Sequence, residues 1–265
     1  LSLVGILFFS LREKGEASHA ALAVVLLCGN PLFALLAAWQ IADVPLAFFI
    51  TLTVILLFKA HREHSQPPWV LFGLVIGLAA WTKNEGIVWM ILALAVALAR
   101  FARTEKRPTI LLVKIVAGLA LPLLALLILK LFLAPGSDLF PAQPQNSLLT
   151  ALSELSSWGL ILSYLARALI GISPIGLQVL PVLPLLLLWL LFSQKSLHKT
   201  AVSPFWNGFL LLALQLAAYV AVYLITPHDL VWHLRTSVDR LVFHLTPAFL
   251  FLVLSMPLSK LPDKT

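Results

Sequence analysis

Three short stretches of the chain concentrate the side chains able to do chemistry. The first, Trp39 to Phe49, carries Asp43 between Gln40 and Pro45. A carboxylate there either caps a helix, with the proline suiting the first turn, or serves a reaction. The second, Gly77 to Gly86, holds Thr82, Lys83, Asn84 and Glu85 at a tight turn between apolar runs. Such a turn is a solvated loop, unless its ammonium faces an embedded cavity. There Lys83 would suit a lipid phosphate, with Glu85 pairing with it or orienting it. The third stretch is Pro227 to Leu241. Helical spacing puts Asp229, His233, Thr236 and Arg240 on one face and Val231, Leu234, Val238 and Leu241 on another. It reads as an amphipathic interfacial helix, or as an anion-binding wall with Arg240 and His233 toward a phosphate or sugar. Arg235 and Asp239 can pair one turn apart. Asp229 and His233 could share a metal, a weak pattern with only two ligands.

The chain around these stretches is of one class. Of its 265 residues 61% are hydrophobic and only 11% charged, against about 25% charged in soluble domains. The mean hydropathy is +1.01. A soluble chain has nowhere to put so much apolar surface. The composition therefore excludes a soluble globular domain, a disordered chain and a nucleic-acid-binding domain, despite the net charge of +7. It predicts an all-α, polytopic transmembrane helix bundle, a single domain over 1–265. The lone cysteine, Cys28, allows no disulfide within the chain and reads as a small apolar core residue. Leu1 falls inside an apolar run with no initiator Met or basic n-region, so the sequence is expected to start partway through a larger protein.

A spanning helix needs about 20 mostly apolar residues. The pattern predicts a partial span at 1–11 and eight full spans near 18–39, 43–60, 68–82, 86–102, 109–133, 174–193, 205–226 and 241–258. Residues 148–171 are interrupted by Ser153, Glu154, Ser156, Ser157 and Arg167, and read as an outer-surface or partly re-entrant helix. A second outer interfacial helix is expected near 228–240. Charges fall on alternate connections. Twelve of the 18 basic residues share one side: Arg12, Lys14, Lys59, Arg62, Arg100, Arg103, Lys106, Arg107, Lys195, Lys199, Lys260 and Lys264. The positive-inside rule makes that side cytoplasmic. Lys114 and Lys130 lie near the ends of a span and can snorkel. The opposite side then receives Lys83, Arg167, Arg235 and Arg240, together with Asp43, Glu85, Asp138, Glu154, Asp229 and Asp239. All three chemical stretches thus fall on one face of the membrane. A carboxylate, an ammonium and a guanidinium around one cavity suit an anionic, lipid-linked substrate.

The run Gln40-Ile41-Ala42-Asp43-Val44-Pro45-Leu46-Ala47-Phe48-Phe49, followed by Gly77 to Gly86 with its Thr82-Lys83, resembles bacterial glycosyltransferase family 39. These are membrane relatives of protein O-mannosyltransferases and of the aminoarabinose transferases that modify lipid A. The stretch Thr226-Pro227-His228-Asp229 through Trp232-His233-Leu234 and Thr236-Ser237-Val238-Asp239-Arg240 looks like the C-terminal signature of one bacterial branch. The resemblance implies a C-type membrane glycosyltransferase. It would move a sugar from a polyprenyl-phosphate donor to a protein, lipid or glycan acceptor on the outer face of a bacterial inner membrane. It implies Asp43 in the family's acidic active-site set and Lys83 near the donor phosphate, with Arg240 as a partner for that phosphate; Glu85, from its place beside Lys83, completes the expected catalytic set. Gln40, Asn84, Asp229, His233, Arg235 and Arg240 would bind substrate. No metal site is assigned, and Asp43 would hold either the acceptor or a divalent metal. The family's first acidic motif, which supplies the presumed base, belongs to an outer loop that this chain does not contain. The expected chemistry is inverting transfer, with Lys83 and Arg240 stabilising charge on the leaving phosphate. A secondary transporter, or a non-catalytic membrane subunit, is the alternative. The transporter would need matched, broken helices in two halves, which the sequence does not display.

Overall fold

In a computed structural model the described residues, 1–13, 17–62, 68–101, 108–133, 155–173, 180–193 and 199–256, are almost wholly helical. The helices are α1 (Ser2–Arg12), α2 (Ala17–Cys28), α3 (Pro31–Ala38), α4 (Asp43–Arg62), α5 (Trp69–Thr82), α6 (Asn84–Phe101), α7 (Pro108–Ile128), α8 (Leu155–Leu169), α9 (Val182–Ser193), α10 (Lys199–Leu224) and α11 (Leu230–Leu254). A π-helical turn, Leu129–Leu133, prolongs α7. The chain is an integral membrane protein. Five of the described helices are long and apolar enough to cross a bilayer, or six if one bent pair counts as a span.

Three expectations change, the simplest being that Cys28, read as a core residue, is exposed near the end of α2. The span read at 18–39 is two helices, α2 and α3, bent by 65°. Pro31 brings no N–H to continue α2 and holds Asn30 extended, and the Asn30 side chain then caps α3 by accepting from Leu32 N at 3.0 Å. Third, the interfacial helix read near 228–240 and the span read at 241–258 are one continuous helix, α11. Hydropathy separates its polar first turns from its apolar remainder, but no glycine or proline breaks the backbone between them. Lys14, Arg103, Lys106, Arg107, Lys195, Lys260, Lys264, Asp138, Ser153 and Glu154 lie outside the described residues, as do 148–154 and 174–179 of the predicted helices.

The axis of the bundle is the parallel pair α4 and α11. They are the most buried candidate spans, at 61% and 83% of their windows. At one end Asp43 of α4 meets Arg240 and His244 of α11. Toward the other, Phe58 packs edge-on against Phe251 at 5.5 Å. That far end carries charge of its own: Lys59 pairs with Glu13 at 2.5 Å, and His19 Nδ1 reaches the Leu254 carbonyl at 3.0 Å. Trp89 of α6 ties in by donating to Thr53 of α4 at 3.2 Å.

Small residues let α6 and α7 close on α5 beside this pair. A Cβ added at Gly118 of α7 would stand 1.9 Å from the Val70 carbonyl of α5, and one at Gly73 of α5 would stand 2.1 Å from that of Ile115. Backbones this close exclude any side chain, as at small-residue membrane interfaces. Gly86 does the same between α6 and α5, where a Cβ would lie 1.9 Å from the Ala79 carbonyl. That approach sets the tight turn on which Lys83 sits.

The glycines yield a direct test. Gly118→Leu should force α5 and α7 apart and destabilise the protein by about 1–3 kcal/mol, as overpacking does. Gly159→Ala, with nothing within 4 Å of its new Cβ, should be neutral or stabilising by up to about 1 kcal/mol. Thermal unfolding in detergent measures both.

Candidate active site

Asp43 is the first residue of α4 and is fully buried, with 0% exposure. The chain enters it from α3 through Gln40, whose φ of 54° is left-handed, a conformation that β-carbon-bearing residues rarely adopt. Lys83 lies between α5 and α6 in an extended conformation, φ −162° and ψ 155°, which interrupts the helical path. Arg240 and His244 are one turn apart on α11, so they share a face.

These elements bring one carboxylate and three nitrogen-bearing side chains together. Lys83 Nζ donates to Asp43 Oδ1 at 3.0 Å, and Arg240 donates to Oδ2 through Nη2 at 2.9 Å and Nε at 3.2 Å. His244 Nε2 is 2.6 Å from Oδ1. Lys83 Nζ also pairs with Glu85 Oε1 at 3.0 Å. Both carboxylate oxygens of Asp43 are therefore saturated. With His244 neutral, two carboxylates balance two cations, and the cluster carries no net charge. The side chains of Lys83 and Arg240 remain 22% and 35% exposed, whereas that of Asp43 is wholly covered. Chemically, this is a fixed pair of cations facing outward from a buried anion, an arrangement able to receive an oxyanion.

Of the other residues singled out in the sequence, Asn84 stands at the start of α6 and accepts from Lys130 Nζ at 2.8 Å. Gln40 is exposed beside the turn into α4. Asp229 is outside the cluster and caps α11, accepting from Trp232 N at 2.8 Å. His233 hydrogen-bonds Thr226 Oγ1 at 2.9 Å and packs edge-on against Tyr223 at 4.9 Å. The Arg235–Asp239 pair does not form. Arg235 lies on the exposed face of α11, whereas Asp239 turns inward, 4% exposed, and accepts from Ser173 Oγ. Among the described residues no three His, Cys, Asp or Glu side chains converge as a metal site, and the Asp229–His233 spacing is taken up by the cap and by Thr226.

Sequence reasoning missed His244, Tyr219 and Gln215. The signal for His244 was present: an ionisable residue inside a span, one turn beyond Arg240 on the same face. Tyr219 and Gln215 sit one turn apart on α10, in a run whose polar residues look incidental.

Asp43 and Asp229 separate a tertiary role from a local one. If Asp43 is the anchor of a cluster, Asp43→Ser, which preserves capping ability, should destabilise as much as Asp43→Ala. The loss approaches the about 3–5 kcal/mol of a broken buried pair, reduced because Lys83 and Arg240 reach water. At Asp229, serine should be nearly neutral and alanine should cost about 1 kcal/mol. Unfolding midpoints of the four variants decide the point.

Comparison with known proteins bears on the same segment. Residues 1–130 match the sequence profile described as dolichyl-phosphate-mannose-protein mannosyltransferase. No curated protein and no solved structure matches the chain. The matched stretch carries Asp43, Lys83 and Glu85, and residues 1–130 are thus a domain of the dolichyl-phosphate-mannose-protein mannosyltransferase family.

Proposed function

We propose that this protein is a membrane glycosyltransferase that takes a sugar from a polyprenyl-phosphate donor and passes it to a hydroxyl of a protein, lipid or glycan on the outer face of the membrane. The observation that carries the reading is the double pairing of Lys83 and Arg240 on one buried carboxylate, with both cationic side chains still partly exposed. It falls in a chain whose family uses a lipid-phosphate sugar.

In the reaction, the bond from the anomeric carbon to the phosphate oxygen breaks and a bond to the acceptor oxygen forms. Charge grows on the departing phosphate. Lys83 and Arg240, already oriented by Asp43, stabilise that charge without rearranging at the moment of transfer. Asp43 acts as their anchor, because its oxygens are occupied and its carboxylate is buried; the acceptor or a divalent ion would have to displace Lys83, Arg240 or His244. The acceptor proton goes to a base outside this cluster. Glu85 steadies Lys83, and Gln40 and Asn84, beside the starts of α4 and α6, are candidate contacts for substrate. His233, Asp229 and Arg235, farther along α11, are candidate contacts for sugar or acceptor.

An apolar cavity lined by Leu169, Leu183, Leu186, Phe209, Leu216 and Phe249 lies among α8, α9, α10 and α11 and is a candidate berth for part of the isoprenoid tail. The outward orientation is supported by charge. The ends of α1, α4 and α6 that carry Arg12, Lys59 and Arg100 are opposite the ends near Asp43 and Lys83. Asp43, Lys83 and Glu85 sit where α4, α5 and α6 begin or end, with Arg240 and His244 reaching them from within α11, whereas a secondary transporter binds near the midplane of broken, repeated helices. This favours the enzyme.

Transfer from labelled polyprenyl-phosphate sugars, measured with the intact protein in proteoliposomes, tests the reading. Lys83→Ala should lower kcat by about 100- to 1,000-fold, the usual effect of losing one preorganised donor. Arg240→Lys keeps the charge but loses the two-pronged hold and should also be impaired, by about tenfold. Undiminished transfer by Lys83→Ala would refute the phosphate role.

A further inference from the structure

The Asp43 carboxylate is held by a group that the proposed chemistry leaves unused. His244 Nε2 meets Asp43 Oδ1 at 2.6 Å, and its other nitrogen, Nδ1, lies 3.2 Å from the Tyr219 hydroxyl. Both residues are buried, at 0% and 3% exposure. One turn away on α10, Gln215 Nε2 donates to the Glu85 carbonyl at 3.1 Å. Glu85 pairs with Lys83, and Lys83 with Asp43. The contacts close a circuit through α4, the α5–α6 turn, α10 and α11.

The circuit fixes where the protons are. An ionised carboxylate only accepts, so Nε2 carries the proton toward Asp43. Lys83 and Arg240 already balance Asp43 and Glu85, and a further cation in this fully buried position would be uncompensated. The ring is therefore neutral, and Nδ1 accepts from the Tyr219 hydroxyl. Lys83 and Arg240 are long, partly exposed side chains that could swing the carboxylate outward. His244 is short, packed and held on both nitrogens, which makes it the stationary point of the cluster.

We propose that His244 is the positioning residue of this site: with Tyr219 holding its tautomer, it sets the plane of the Asp43 carboxylate and, through it, the spacing of the Lys83 and Arg240 donors. The consequence for sugar transfer rests on the glycosyltransferase reading; the hydrogen-bonded chain itself does not.

Two measurements on the intact protein in lipid nanodiscs test this. The first is the nitrogen spectrum of ¹⁵N-labelled histidine, with His244 assigned by difference against His244→Gln. The expected ring is protonated at Nε2, with Nδ1 moving in Tyr219→Phe and Nε2 moving in Asp43→Asn. A ring protonated at Nδ1, or one indifferent to both substitutions, overturns the proposal. The second is sugar transfer. His244→Leu should lower kcat about 10- to 100-fold, the range seen when a group that orients another ligand is lost, with the donor KM little changed. His244→Gln, whose amide donates from nearly the same place, should recover most of that loss, and Tyr219→Phe should fall between. Equal losses in His244→Leu and His244→Gln, or a loss confined to KM, contradict positioning. A wild-type protein that transfers no sugar from any donor would sink the enzymatic reading alone, and the nitrogen spectrum would still decide the relay.

Discussion

An ionised carboxylate removed from water must be answered by donors and opposite charge, and in a membrane protein few groups are within reach. Asp43 is such a carboxylate, and its place at the start of α4 dictates much of what surrounds it. Its oxygens draw in a lysine from a helix junction and an arginine and a histidine from α11, which lies about 200 residues along the chain. Replacing such a cluster by well-packed apolar groups is often neutral or stabilising.

The helices behave as the scaffold of that constraint. α4 and α11 run parallel so that the cluster forms at one end and aromatic packing at the other. Gly86 brings α6 against α5 closely enough to make the Lys83 turn tight, and Gly73 and Gly118 lock α7 behind it. α10 supplies a polar stripe of Gln215, Tyr219 and Tyr223 to an interface that is otherwise apolar. Anion, cations and supporting hydrogen bonds come from separate elements, so no single helix makes the site.

The parts of this arrangement legible in the sequence were those with a local cause. Long apolar runs announced α4, α6, α7 and α10. Asp43, Lys83 and Arg240 stood out because ionisable groups at span ends are costly. The bend between α2 and α3 was hidden, because hydropathy runs straight through Gly29, Asn30 and Pro31, although the proline was a cue. The continuity of α11 was hidden for the opposite reason, a change in polarity without a change in backbone. Local spacing could not choose between Asp43 as a cap and Asp43 as an anchor, since the deciding partners lie 40, 197 and 201 residues away. The pairing of Arg235 with Asp239 illustrates the converse. Adjacent turns allowed it, but the boundary between buried and exposed surface runs between the two side chains.

The convergence of Asp43 with Lys83 and Arg240 is the claim on which the rest stands. Double-mutant cycles probe it most directly: Asp43→Asn combined with Arg240→Gln, and Asp43→Asn combined with Lys83→Met, each followed by unfolding in a lipid environment. Direct contact predicts coupling within the range of about 0.5–3 kcal/mol in both cycles. Strictly additive effects in either cycle would mean that the residues do not meet, and would contradict the account.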